Sequence, residues 1–187
     1  KAPNAGKLVY FYGLELEKTV AEKEKDPEEH STIRQEGIKY LTTAISIDPD
    51  FGDAHANLGN AYYCLGQYDS AEYHEAIAIK QNPINTMTMN NLASVYYMTR
   101  HYQESIDLSR RAMQIKPDYV NTYTNMGRCF VNLGRYDSAI YFVRKGIAVD
   151  PNYVFSYQIL GFMYKAMGIA DSAKKYDDIV ARLTAQH

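Results

Sequence analysis

Pro49, Pro83, Pro117 and Pro151 stand 34 residues apart, and most other landmarks of the chain keep the same step. Gly59, Ala93, Gly127 and Gly161 repeat with them, as do Tyr62, Tyr96, Phe130 and Tyr164, and Ala71, Ser105, Ala139 and Ala173. A fixed period of this length describes an array of small helical units that bury their apolar faces against their neighbours. Such an array presents a surface rather than housing a reaction, and this narrows the function classes open to the chain.

The same local logic recurs inside each unit. From Asp53 to Leu65 the apolar and small residues Ala54, Leu58, Ala61, Tyr62 and Leu65 fall at helical spacing. Gly66 follows where a left-handed C-terminal cap is needed. Asp69 is expected to open a second helix as its N-cap, with Glu72 three residues on. That helix runs through Ala71 and Ala78 toward Asn82, and Pro83 stops it. The next unit repeats the pattern with Leu92, Tyr96, Tyr102 and Ala112 and closes at Pro117, but Arg100 replaces the cap glycine. Met126, Gly134, Tyr136 and Pro151 mark the third, and Leu160, Gly168 and Ala173 mark a fourth that has no closing proline. The glycines and alanines let paired helices approach closely, and the Tyr and Leu positions fill the space left over.

Read together, these residues resemble the tetratricopeptide repeat. Leu58-Gly59-Asn60-Ala61-Tyr62-Tyr63 followed by Gly66-Gln67-Tyr68-Asp69 is especially similar to its pattern, and the likeness covers Gly52 to about Leu183. His55, Met89, Tyr123 and Tyr157 stand where the family often has Trp, a residue this chain lacks, and can fill the same packing role. The resemblance implies an all-α fold, a right-handed α-solenoid of about five helix-turn-helix repeats forming a single domain over 1–187. The repeats are expected at 6–51, 52–85, 86–119, 120–153 and 154–187, the first with an insertion near 19–32 that is rich in Glu and Lys.

In that first unit Leu8 to Leu16 reads as the first helix, with Gly13 at the Leu-Gly position, and Gly37, Leu41, Ala44, Ile45 and Pro49 read as the second. The insertion reads as an extension of the first helix followed by a solvated loop, or else as an acidic lip that meets a partner. Pro3 occupies the repeat-closing position and the chain starts at Lys1 rather than Met, so the sequence is expected to be a piece of a longer polypeptide.

In this family the first helices of successive repeats line a concave groove. Mapped onto this sequence, the groove positions are Asp53, Asn57, Asn60, Tyr63 and Cys64; Met87, Asn90, Asn91, Ser94, Tyr97 and Met98; Asn121, Thr124, Asn125, Arg128, Val131 and Asn132; and Phe155, Gln158, Ile159, Phe162 and Lys165. Asn57, Asn91 and Asn125 share one position. A carboxamide both donates and accepts, so a row of them can pair with the backbone of an extended peptide, and relatives hold peptides in this way. At the last repeat Phe155, Ile159 and Phe162 replace the polar pattern, which offers an apolar anchor, a dimer contact, or packing under the final helix. The two-carboxylate clamp of chaperone-tail binders needs cations on adjacent first helices, and here only Arg128 and, farther along, Lys165 are basic.

Other chemistries find little support. The net charge of -2 argues against an electrostatic grip on nucleic acid or an anionic membrane. Arg110-Arg111 and Arg144-Lys145 could form a small basic stripe, although such a stripe is usually a solvated face. The five histidines lack the paired spacing of a helical metal site, and no phosphate loop or nucleophile elbow is present, so no metal, cofactor or catalytic residue is expected. Cys64 and Cys129 lie roughly two repeats apart, too far for a disulfide. No apolar run is long enough to cross a bilayer.

The function expected is a protein-protein interaction scaffold that binds a peptide or partner segment in the groove. Two alternatives stand beside it. One is self-association as a homodimer through the last repeat. The other is an accessory domain of a membrane-anchored glycosyltransferase-like protein, because Pro3-Asn4-Ala5 followed by Leu8 to Gly13 is similar to junctions in such proteins. The compartment is left open.

Overall fold

The structure, a computed structural model, describes residues 7, 9–11 and 27–185, with backbone alone for 27–31. The expected junction at Pro3 to Ala5, Gly13, and positions 19–26 of the insertion lie outside the described residues. Residues 7 and 9–11 are helical. The remaining regular structure described is also helical: α1 (Pro27–Ile47), α2 (Gly52–Cys64), α3 (Tyr68–Gln81), α4 (Thr86–Met98), α5 (Tyr102–Ile115), α6 (Val120–Asn132), α7 (Tyr136–Val149), α8 (Val154–Ala166) and α9 (Ala170–Thr184). Positions 27–32 of the expected insertion form the first turns of α1. The chain divides into two compact units, 1–95 and 96–187, the boundary falling within α4.

The helices α2, α4, α6 and α8 each end in the same hydrogen-bonded cap. Gly66, Gly134 and Gly168 take positive φ (72°, 69° and 72°), and Arg100 takes φ 65° in the same place. The residue after each donates its N–H five residues back, as Gln67 does to Tyr62 (2.9 Å) and His101 to Tyr96 (2.8 Å). This is the Schellman arrangement, which satisfies carbonyls that the helix would otherwise leave open. It also overturns the expected N-cap. The left-handed residue turns the chain so sharply that Gln67 is the N-cap of α3, without a side-chain cap bond, and Asp69 lies inside the first turn. There its charge favours the positive end of the helix dipole instead.

The position where relatives carry Trp has a second role. Tyr123 donates its hydroxyl to the Pro117 carbonyl (2.6 Å) and Tyr157 to that of Pro151 (2.8 Å). His55 Nε2 lies 3.2 Å from the Pro49 carbonyl. A carbonyl only accepts, so His55 carries its proton on Nε2, and its Nδ1 accepts from His74 Nδ1, 2.9 Å away. Burial, with His55 adding to it, lowers His74 to about 4.

Within unit 1, α1 packs on α2 and α2 on α3. Gly59 is buried against α3, where a Cβ would stand 2.6 Å from Glu75 Cγ. Glu75 is wholly buried, and neither carboxyl oxygen has a well-formed hydrogen bond. Burial pushes it up to about 8, and the carboxamide of Asn91 on α4 is near enough to lower it in part.

Within unit 2, α5 packs on α6, α6 on α7 and α8, α7 on α8, and α8 on α9. Ile106, Met126, Phe130, Val143, Leu160 and Met163 belong to one apolar cluster. Gly127 repeats the role of Gly59, now facing Val143, whose Cγ2 would collide with an added Cβ. Phe130 stacks on Phe142 and Tyr164 on Tyr176, twelve residues on in each case, as Tyr62 stacks on His74 in unit 1. The helix α9 is charged and exposed at Lys174, Asp177 and Asp178, where the equivalent residues of α7 are Ile140, Val143 and Arg144.

Candidate partner-binding cleft

Two helices of unit 2 each present one face at helical spacing. On α6, Arg128, Val131 and Asn132 follow one another at steps of three and one; on α8, Phe155, Gln158, Ile159 and Phe162 do so at three, one and three. Because α6 and α8 touch, the two rows meet, and together with Tyr97 they line a cleft of about 340 Å³. Its walls are mostly apolar. Phe162 is 64% exposed at its mouth, and Ile159 is buried in its floor.

Among the described residues of the lining, Arg128 carries the only charge. Its guanidinium lies 3.7 Å from the centroid of the Tyr97 ring and 5.4 Å from that of Phe155. Asn132 holds Tyr97 in turn. Its Nδ2 donates to the Tyr97 hydroxyl (3.1 Å) and to the Arg128 carbonyl (3.0 Å), while its Oδ1 accepts from the Tyr102 hydroxyl (3.3 Å). Burial raises the neighbouring Tyr153 hydroxyl above its ordinary pKa, and Arg128 works against that rise. Lys165, one turn beyond Phe162 on α8, pairs with Asp177 at 2.8 Å.

A sequence profile for the tetratricopeptide repeat matches residues 85–152, and a second profile for the same repeat matches 40–73. The chain is a tetratricopeptide-repeat protein. Solved structures agree on the fold. The chain superposes on MamA residues 41 to the end from Desulfovibrio magneticus RS-1 with a TM-score of 0.74 and 16% identity, covering 96% of this chain and 97% of that one. On TTC0263, a thermophilic TPR protein of Thermus thermophilus, the TM-score is 0.76 at 15% identity, with 96% and 91% covered. A further MamA crystal structure gives 0.71 at 22% identity, with 83% and 91% covered. These likenesses describe an all-α tetratricopeptide solenoid. No curated protein matches the sequence.

The tetratricopeptide frame also places the other residues expected in the groove. The cleft gathers Tyr97, Arg128, Asn132, Phe155 and Phe162 in unit 2. In unit 1, Asn60 and Tyr63 are half-buried on α2, and Ser94 is half-buried on α4 with its hydroxyl donating to the Asn90 carbonyl (3.0 Å). Asn90 is 3% exposed, so it does not face solvent as a groove residue would.

The carboxamide row is not an open one. Asn125 is 5% exposed. Asn57 donates to the Tyr10 hydroxyl (3.0 Å) and to the Asp53 carbonyl (2.8 Å). Asn91 turns toward Glu75. For Asn91 the reason lies in the packing of a tetratricopeptide array, where this column meets the second helix of the preceding repeat, sixteen residues earlier. Glu75 stands there before Asn91, and Val143 stands there before Ile159, which occupies the same column in the last repeat. At these two positions the side chain matches its neighbour, polar against polar and apolar against apolar.

Sequence reasoning passed over Glu75 and read Tyr102 only as a repeat packing position. Glu75 sits opposite a glycine in the interhelical contact, and that opposition was its only signal. Among the described residues no group of three or more His, Cys, Asp or Glu could hold a metal. No disulfide joins the two cysteines: Cys64 is exposed and Cys129 buried, with burial raising the Cys129 thiol. No described helix is long and apolar enough to cross a membrane.

Proposed function

We propose that the chain is a scaffold that holds a segment of a partner protein in the cleft between α6 and α8. Tetratricopeptide arrays are in general protein-interaction scaffolds and generally not enzymes, which sets the class. The observation that carries the finer reading is the exposed aromatic wall of the cleft. Phe162 at 64% exposure and the half-buried Phe155 flank a floor that contains Ile159. Large aromatic side chains left open around a concavity are the usual anchors of a partner interface. The net charge of -2 and the single cation in the lining speak for a protein partner rather than a nucleic acid.

The test is capture from an extract of the source organism, with the wild-type chain and Phe162→Ser as parallel baits. A protein retained by the wild type and lost by the variant, with unchanged melting temperatures, supports the cleft as the binding site. Equal retention by both baits overturns it. Light scattering of the two baits separates a foreign partner from a second copy of this chain, since a self-associating wild type would become monomeric in Phe162→Ser.

A further inference from the structure

Resting on the reading of this cleft as a partner site, we propose that its occupant is an acidic peptide segment. One Asp or Glu of that segment meets Arg128, and an aromatic or branched aliphatic neighbour lies against Phe155 and Phe162. Among the described residues the cleft supplies one positive charge and no negative one. Among the described residues no carboxylate pairs with Arg128, whereas Lys165 on the same side is already joined to Asp177 at 2.8 Å. An incoming anion therefore finds a single unneutralised cation, set in an apolar wall where a charge-assisted contact is screened less than in open water.

The guanidinium is held ready for that contact. Its Cζ lies over the Tyr97 ring, 3.7 Å from the centroid, and the N–H donors of a guanidinium lie in its own plane. Asn132 fixes the ring and also bonds the Arg128 carbonyl, so backbone, carboxamide, phenol and guanidinium close into one loop of contacts. A long side chain immobilised before binding loses less entropy when the ligand arrives. In-plane donors of this kind suit the two oxygens of a carboxylate.

Polyanions fit less well, because they draw their affinity from many phosphate contacts and only one cation lines the cleft. A cationic ligand would meet no acid there. The apolar walls ask for a large side chain next to the acid, and this excludes a purely acidic run.

The experiment pans a phage-displayed library of random decapeptides on the full chain, then measures synthetic representatives by fluorescence anisotropy. Enrichment of sequences with Asp or Glu within two positions of Phe, Tyr, Leu or Ile is the expected result. Changing that acid to its amide should weaken binding about tenfold. Arg128→Gln should bring the acidic peptide down to the affinity of the amide peptide while leaving the amide peptide unchanged, and Arg128→Lys should retain part of the difference. The acid-to-amide comparison uses wild-type protein, so it holds even if a variant folds poorly. Enriched apolar peptides with no acid preference overturn this inference and leave the cleft as a peptide site. Peptides whose binding ignores both Arg128→Gln and Phe162→Ser, or no enrichment at all, overturn the cleft reading itself.

Discussion

Gly59 and Glu75 share one space between α2 and α3: a Cβ on residue 59 would stand 2.6 Å from Glu75 Cγ and 2.9 Å from Cδ. Glycine there is required by the side chain opposite, and Glu75 can be fully buried because the glycine is there. Gly59→Ala should lower stability by roughly 1–3 kcal/mol, the usual range for overpacking. Gly59→Ala combined with Glu75→Ala should recover most of that loss. Urea unfolding of the two single variants and the double variant measures the coupling, and additive effects would mean that the residues are not in contact.

The same carboxyl makes unit 1 sensitive to pH. Glu75 titrates near 4.5 when unfolded and about 8 when folded. Between those values the unfolded chain has lost a proton that the folded chain keeps, so stability falls as pH rises. His74 acts in the opposite direction at lower pH. Its folded value is about 4 against 6.5, so stability rises with pH until His74 is neutral in both states. The two trends oppose each other between about 4.5 and 6.5, and Glu75 acts alone from there to about 8. Across that upper window the loss should be about 2 kcal/mol. Thermal melts in a pH series should show the decline in the wild type and its disappearance in Glu75→Gln. A decline that persists in the variant would assign it to other groups.

Arg100 carries a left-handed backbone (φ 65°) after α4, where α2, α6 and α8 are followed by glycine. Arg100→Gly should raise stability by about 0.5–1 kcal/mol, the relief of a side chain in that region less the added freedom of the unfolded chain. Gly66→Ala is the converse. Nothing lies within 4 Å of its added Cβ, so any loss it causes is conformational and not steric. A destabilised Arg100→Gly would show that the arginine side chain contributes more than its backbone takes away.

Asn125 and Arg128 lie one turn apart on α6 but should separate stability from binding. Asn125 is buried, so Asn125→Ala should lower stability by roughly 1–3 kcal/mol through the polar groups it leaves unpaired. Arg128→Gln loses only its ring contacts, about 0.5–1 kcal/mol, and its main effect should fall on partner capture. Melting curves and capture measured on the same two preparations check both. Strong loss of binding by a stably folded Asn125→Ala would restore the carboxamide row as a peptide contact.

Much of the fold was legible because each column of the 34-residue period reports one packing environment. The cap glycines, the closing prolines and even the exception at Arg100 could be read directly. All eight residues of the cleft belonged to the mapped groove positions, but the sequence offered no reason to prefer the α6 and α8 rows over the rest. That preference comes from Arg128 lying on Tyr97, a contact between residues 31 apart. The carboxamide row misled for a related reason. A column shows that Asn57, Asn91 and Asn125 are equivalent, but not what each one faces: Asn57 meets Tyr10, and Asn91 meets Glu75 in another column. Asp69 failed as an N-cap because the left-handed turn at Gly66 placed Gln67 there first.

Glu75 answers to a residue on either side of it, Gly59 in its own repeat and Asn91 in the next. A segment cut at Pro49 and Pro83 would carry the first of these and leave the second behind. For grafting repeats between arrays, or for duplicating one within this chain, the self-consistent cassette therefore begins and ends inside the helical pairs. It has to take a second helix together with the first helix that follows it. Boundaries drawn at the prolines divide a matched set of side chains, and a chimera built on them would inherit a buried acid with an unsuitable neighbour.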